Sequence, residues 1–367
     1  MRGRVDRQQT MFVAFDLEQR IPDDHPLRPI KRWCDQILAS MGRDFSAAYG
    51  TTGRVGIPPE SLIKCLLLRA LFAISSERRL CEACEFNLLY RWFIDRPLDE
   101  PMWTPEAFSM NRDRFELHDL VRKFFDRLVA EGIIDGLIGD DRFSVDGTLI
   151  RSMAGHKSLK PIEHGNNDDD DLNSWGQFKG TKRSNATHRS VVDPEARLAS
   201  KGGEAHLRHS MHLLTDAHTG LCVALRVDTA DGRAERRNAL SMLDHVRGRH
   251  RLVPKVVAAD AGYGAGEFLC ELEARGITPH AALAKGKIVG DSERHRARKR
   301  MRRRTTTKQY KISQRLRRMI EPVIGWYKHT GGLKRTRFVG HERIQNDALI
   351  VASAWNLMRM VTLRGVT

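Results

Sequence analysis

The chain is 367 residues long, enough for roughly two domains of ordinary size and for a sizeable buried core. Lys and Arg number 62 against 46 Asp and Glu, a formal charge of +16 with a pI near 9.9, which favours a polyanionic partner, most simply nucleic acid. A content of 41% hydrophobic and 29% charged residues excludes a disordered tail, and six cysteines in this length exclude a small disulfide scaffold.

No apolar core follows the segment Met1–Arg7, so a secretory signal is not expected. Residues 1–135 are expected to form an all-α N-terminal domain. His25 to Met41 places Leu27, Ile30, Trp33, Cys34, Ile37 and Leu38 on one helical face. Pro58 and Pro59 precede a second helix over Ser61–Ser75, in keeping with proline in a first turn. Helices are expected over Glu77–Phe93 and Leu117–Ala130, with Thr104-Pro105 as a capped helix start between them and Gly132 as the final stop.

After Asp140 the pattern changes. Phe143–Asp146 alternates like a strand that ends at Asp146. Ser210–Thr215 and Leu221–Val227 form a hairpin around Asp216–Gly220. Ala234–Val246 is helical, Val253–Ala259 is a buried strand, Gly264–Arg275 is a helix and Ile277–Leu283 another strand. Lys311–Lys328 carries Ile312, Leu316, Met319, Ile320, Val323, Ile324 and Tyr327 on one helical stripe. This order predicts an α/β domain over 136–367, a mixed sheet flanked by helices. A polar insertion spans about 151–205. Its acidic run Asn166–Asp171 is expected to be a solvated loop, because adjacent like charges repel. Near the C-terminus the apolar run Ala348–Met358 is too short to span a bilayer, and no basic amphipathic helix with large apolar anchors marks a membrane partner.

Three carboxylates stand out. Asp146 ends a strand before Gly147, and Asp260 ends the buried strand before Ala261-Gly262-Tyr263-Gly264; α/β folds place ligand chemistry at such strand ends, although an Asp there is also an ordinary turn former. From Arg294 to His341, 17 of 48 residues are Lys or Arg and Glu321 is the only acid. Such a stretch, with a basic segment at about 291–318, is expected to contact phosphates, and Arg294–Arg304 to be a flexible DNA-contacting loop. A lone acid there would weaken DNA binding unless a divalent cation stood between it and the phosphate. Three separated acids on a cationic chain suggest hard, oxygen-ligated Mg²⁺, with Mn²⁺ as a substitute. A pair of such ions about 4 Å apart can activate water and stabilise the leaving oxygen at phosphorus.

The chain resembles the DDE-type transposases of bacterial insertion sequences, in the group of insertion sequence five. The matching segments are Val145-Asp146-Gly147-Thr148-Leu149-Ile150, His156-Lys157-Ser158, Lys182-Arg183-Ser184-Asn185-Ala186-Thr187-His188 and Ala259-Asp260-Ala261-Gly262-Tyr263. The last runs from Glu321-Pro322-Val323-Ile324-Gly325-Trp326-Tyr327-Lys328 into Gly331-Gly332-Leu333-Lys334. Asp24-His25-Pro26-Leu27-Arg28, Pro58-Pro59-Glu60 and Asn87–Phe93 resemble that group's helical N-terminal part. The resemblance implies a ribonuclease H-like fold with Asp146, Asp260 and Glu321 as catalytic, metal-binding triad. It also implies DNA contacts by Arg317, Gln314, Lys328, Lys334 and Arg335. Gln314 stands where the family motif has tyrosine, whereas Arg317, Glu321 and Lys328 keep its spacing and can share one helical face. Pro322 puts Glu321 at a kink or at a helix start.

The implied function is hydrolysis of phosphodiesters at terminal inverted repeats, followed by transfer of the freed 3′-hydroxyl into target DNA, with double-stranded DNA as partner. At least a homodimer is expected, in the cytoplasm at the nucleoid. A DNA-binding repressor derived from such an element and a stand-alone metal nuclease are the alternatives. Cys81 and Cys84 have zinc-like spacing without a second pair and are expected to be small helix residues. His206, His209 and His212 are expected at a polar strand edge, or in contact with substrate.

Overall fold

The computed structural model describes residues 16–50, 56–162, 184–200, 203–232 and 234–365. The Met1–Arg7 segment, the acidic run Asn166–Asp171 and the motif residues Lys182 and Arg183 lie outside the described residues.

Eight helices come first: α1 (Leu17–Arg20), α2 (Leu27–Ala39), α3 (Gly42–Ala48), α4 (Pro59–Leu71), α5 (Glu77–Phe86), α6 (Leu88–Phe93), α7 (Pro105–Leu117) and α8 (Leu120–Ile134). The expected face of α2 is the buried one, with Leu27, Ile30, Trp33, Cys34, Ile37 and Leu38 all inside. The helix expected over Glu77–Phe93 is two, because the Asn87 side chain accepts from Leu89 N and Tyr90 N and starts a new helix there. Thr104 stands at the start of α7 but makes no capping bond to its backbone. Gly132 does not stop α8; the helix runs to Ile134, and Gly136, at φ +69°, turns the chain.

The strands are β1 (Arg142–Arg151), β2 (Leu159–Pro161), β3 (His188–Ser190), β4 (Arg197–Ala199), β5 (His206–Asp216), β6 (Cys222–Thr229), β7 (Val256–Ala259) and β8 (Thr278–Ala281). Between and after them run α9 (Ala234–His250), α10 (Gly266–Ala274), α11 (Glu293–Arg304), α12 (Lys308–Arg317), α13 (Ile320–His329) and α14 (His341–Leu363). The main sheet runs β4-β5-β1-β7-β8, with β6 also on β5. β5 is antiparallel to β1, β4 and β6, while β1, β7 and β8 are mutually parallel. This is the mixed, helix-flanked sheet that the pattern predicted. β2 and β3 form a separate ribbon in the polar insertion.

Residues 1–135 do not pack apart from the rest. α14 is buried along most of its length and lies against α2, α4 and α8 on one side and β6 on the other, so one apolar core runs through both parts. Arg69 of α4 forms a buried ion pair with Asp347 of α14. No described helix is long and apolar enough to cross a membrane.

Two expectations about the basic region are corrected. Arg294–Arg304 is not a flexible loop but lies in α11: Ala297 and Met301 are buried, and Arg300 and Arg304 pair with Glu273 of α10. Acids outside the basic stretch thus offset part of its charge. The stripe over Lys311–Lys328 breaks at Arg318–Met319 into α12 and α13. Pro322 has no N–H and is tolerated only in a first turn, which is where the break puts it. Glu321 is therefore the second residue of a helix.

Candidate active site

β1 does not end at Asp146; it continues to Arg151. What ends there is its pairing with β7. The parallel ladder joins Arg142 to Val256, Phe143 to Val257 and Ser144 to Ala258, then stops. Continuing the register by two residues sets Asp146 beside Asp260, the residue after β7. The β1–β7 pairing ends here, at the carboxyl ends of two parallel strands, the usual ligand position in such folds. Asp146 Oδ1 accepts from Gly147 N at 2.7 Å, and Asp260 Oδ1 accepts from Gly262 N at 2.8 Å, so each carboxylate is steadied by its own turn.

Glu321 comes from the other side. α12 and α13 pack against β1, and Arg317 at the end of α12 reaches two acids with one guanidinium. Its Nη1 lies 3.6 Å from Asp146 Oδ2 and its Nη2 lies 3.8 Å from Glu321 Oε1. Glu321 is 61% exposed. Among the described residues, the one group of His, Cys, Asp or Glu whose ligand atoms all lie within 4.8 Å is His156, Glu204 and His206, beyond the Arg151 end of β1. Glu321 is thus joined to Asp146 through Arg317 and not drawn into a closed ligand shell.

A fourth acid that the sequence reading passed over, Glu235 at the start of α9, lies against the backbone of Gly147 and Gly262. The turn before α9 is fixed by Asp228, whose Oδ2 accepts from Arg237 Nη2 at 2.6 Å and Asn238 Nδ2 at 2.8 Å. Burial pushes the Asp228 carboxyl up, but these donors and Thr229 N outweigh it and hold the pKa at about 2, below the ordinary 3.8. A depressed carboxylate stabilises the fold above its ordinary pKa and loses that contribution as pH falls through the folded value. Unfolding midpoints should therefore fall between about pH 4 and pH 2 more steeply for the native chain than for Asp228→Asn. Equal acid slopes would show that the turn owes nothing to this carboxylate.

His209 and His212 are not at a strand edge, whereas His206 is paired only by β4. His209 and His212 are buried in β5, which has neighbours on both sides. His209 Nε2 lies 2.8 Å from Asp193 Oδ2, which also accepts from Ser152 Oγ at 2.5 Å; this network ties the polar insertion to the sheet. His212 Nε2 lies 3.0 Å from Ser210 Oγ, and burial lowers its pKa to about 4, so it is neutral near pH 7. His206 is part-buried at the start of β5.

Gln314 is corrected as a DNA contact. Its amide donates inward to Ala259 O (3.3 Å) and His280 O (2.6 Å), clamping α12 onto the ends of β7 and β8. Lys334 and Arg335 are exposed; Lys334 O accepts from Arg151 N at 3.2 Å, which lays their segment along the end of β1. Lys328 is half-buried in the last turn of α13. Trp326 packs on Trp355 with ring centroids 5.6 Å apart. Cys81 and Cys84 are buried in α5 as unbridged cysteines.

The donors at the strand ends are carboxylate oxygens, the hard class that suits Mg²⁺ or Mn²⁺. The nearby Tyr263 hydroxyl is fully buried and has no hydrogen-bond partner. A water on a bound cation would satisfy such a donor, so the residues present fit a divalent ion.

Residues 15–114 match a family model described as a transposase domain of the DUF772 type, and residues 139–357, more than half of the chain, match that of the transposase DDE domain. No curated protein sequence matches. Similar solved structures include a Mos1 transposase paired-end complex with left transposon end, at 10% identity over 82% of this chain and 98% of that one, with a TM-score of 0.21. The Mos1 strand transfer complex is similar at 11% identity over 87% of this chain and 99% of that one, also with a TM-score of 0.21. At such TM-scores the backbones do not superpose as wholes, and these likenesses carry no weight below.

Proposed function

The chain belongs to the transposases with a DDE domain, and on that premise we propose that it cuts DNA at the terminal inverted repeats of a mobile element and transfers the freed 3′-hydroxyl into target DNA. The group of insertion sequence five is the proposed subgroup, on the motifs around Asp146, Asp260 and Glu321. DDE transposases use divalent metals, and Mg²⁺, with Mn²⁺ as a substitute, is the proposed ion. When bound, it supplies Lewis acidity toward a phosphodiester oxygen and toward water.

In this reading Asp146, Asp260 and Glu321 hold the ion. The observation that carries it is the β1–β7 register, which sets two acids from distant segments side by side where their pairing stops. Arg317 stands beside Asp146 and Glu321 and offers its guanidinium to the phosphate that approaches them. Lys334 and Arg335, exposed along the end of β1, and Lys328 on α13 hold the DNA backbone and thereby fix which phosphate reaches the acids. Asp146 and Asp260 keep their orientation through the Gly147 and Gly262 amides. Residues 1–135 are proposed to hold DNA ends and to contact a second copy, since two ends are cut and joined together. A homodimer acting at the nucleoid is the corresponding assembly.

Incubation of the protein with Mg²⁺ and duplex terminal-repeat DNA should yield cut ends and joined products. Binding without cutting would replace this reading with a repressor derived from such an element. Cutting without joining would replace it with a metal-dependent nuclease.

A further inference from the structure

Asp146 and Asp260 are each followed closely by a glycine, and both glycines face the same side chain. A Cβ at Gly147 would stand 3.4 Å from Glu235 Oε1, and a Cβ at Gly262 would stand 3.1 Å from Glu235 Oε2. The second position is also 3.1 Å from Asp260 Oδ1. The Glu235 carboxylate therefore lies across the opening between β1 and β7, one oxygen toward each strand end. Its position is set from both sides. Asp228 fixes the turn before α9 through Arg237 and Asn238, and Ala234 is fully buried next to it.

Two buried polar atoms at this place lack partners. His212, opposite Gly147 in the β1–β5 register, is 1% exposed; its Nδ1 has no hydrogen bond and would be 3.0 Å from a Gly147 Cβ. The Tyr263 hydroxyl is likewise buried and unpartnered. Buried polar groups are ordinarily paired, and a hydrated ion among the carboxylates would satisfy these two. A cleft of about 350 Å³ lined by Gly147, Ser210, His212, Asp231 and Glu235 brings solvent to the Glu235 side of this place, although neither Asp146 nor Asp260 lines it.

We propose that Glu235 is a fourth carboxylate of the metal centre, an oxygen ligand to the divalent cation held by Asp146 and Asp260. This rests on the reading of those two aspartates as metal ligands and adds a ligand to the set that the family resemblance implies. Glu235 comes from a helix that packs on β5 and β6, so it is fixed independently of Glu321, which is exposed on α13 beside Arg317. On this proposal Glu235 closes on the cation from the α9 side and Glu321 from the α13 side; without the ion the ligand atoms of Asp146, Asp260 and Glu235 do not all lie within 4.8 Å of one another.

The test is Mn²⁺ titration of the full-length, DNA-free protein by electron paramagnetic resonance, with duplex end-DNA binding and thermal melting measured in parallel. Glu235→Gln should weaken Mn²⁺ binding by about tenfold or more, with DNA binding and melting midpoint unchanged. Asp146→Asn should weaken it at least as much. If Glu235→Gln binds Mn²⁺ like the native chain while Asp146→Asn does not, Glu235 is no ligand and the aspartate reading stands alone. If Asp146→Asn also binds like the native chain, both readings fall. Glu235→Asp keeps the charge and withdraws the carboxylate by one methylene. It should also weaken Mn²⁺, and it decides the matter if the glutamine variant melts early; native affinity in the aspartate variant overturns the proposal.

Discussion

Asp146→Asn and Asp260→Asn should each reduce cleavage of end DNA by about 10³-fold or more, while the affinity for that DNA changes by no more than about twofold. The amide has the size of the carboxylate and can still accept from Gly147 N or Gly262 N, so the strand ends keep their shape. What is lost is charge at the point where β1 and β7 part, and with it, on the proposed function, the capacity to hold a divalent ion. DNA affinity is expected to survive, since the contacts proposed for the DNA backbone are basic residues, among them exposed Lys334 and Arg335. Single-turnover cleavage and gel-shift titration on the same preparations measure the two quantities. Cleavage within tenfold of the native chain in either variant would remove that aspartate from the site.

The largest stability effect is expected where the helical part meets α14. Arg69 and Asp347 are both buried, and their ion pair joins α4 to the last helix. Removing one partner strands the other charge in a low-dielectric interior, so Arg69→Ala or Asp347→Ala should cost about 3–5 kcal/mol in urea unfolding. Replacing both with apolar residues of similar volume should recover most of that loss, because no charge is then left alone. A loss below about 1 kcal/mol in both single variants would mean that water reaches the pair.

Which features could be read in the sequence follows from the range of the forces involved. The α2 face, β1, the β5–β6 hairpin and α9 were legible because burial imposes a period on neighbouring residues, whereas the short β2, β3 and β4 in the polar insertion were not. Asp146 and Asp260 were noticed because each precedes glycines after an apolar run. Their side-by-side placement follows from a parallel register, which no local pattern encodes. Glu235 was passed over for a physical reason: a glutamate in a first helical turn is ordinarily explained by the helix dipole, so nothing marks it until Gly147 and Gly262 are seen against it. Gln314 was assigned outward by its place in a motif, whereas two carbonyls at the sheet end draw it inward. The α11 stretch looked like a loop because charge dominates its composition; only two small apolar anchors, Ala297 and Met301, and the acids of a preceding helix make it fold.

The placement of α14 also bears on how the molecule is made. The surfaces of α2, α4 and α8 that it covers leave the ribosome more than two hundred residues before it does. Until His341–Leu363 emerges, those helices hold apolar faces without a cover, and the growing polypeptide is open to aggregation during that interval. Messages broken before this stretch would therefore yield fragments with uncovered helix faces that aggregate instead of accumulating.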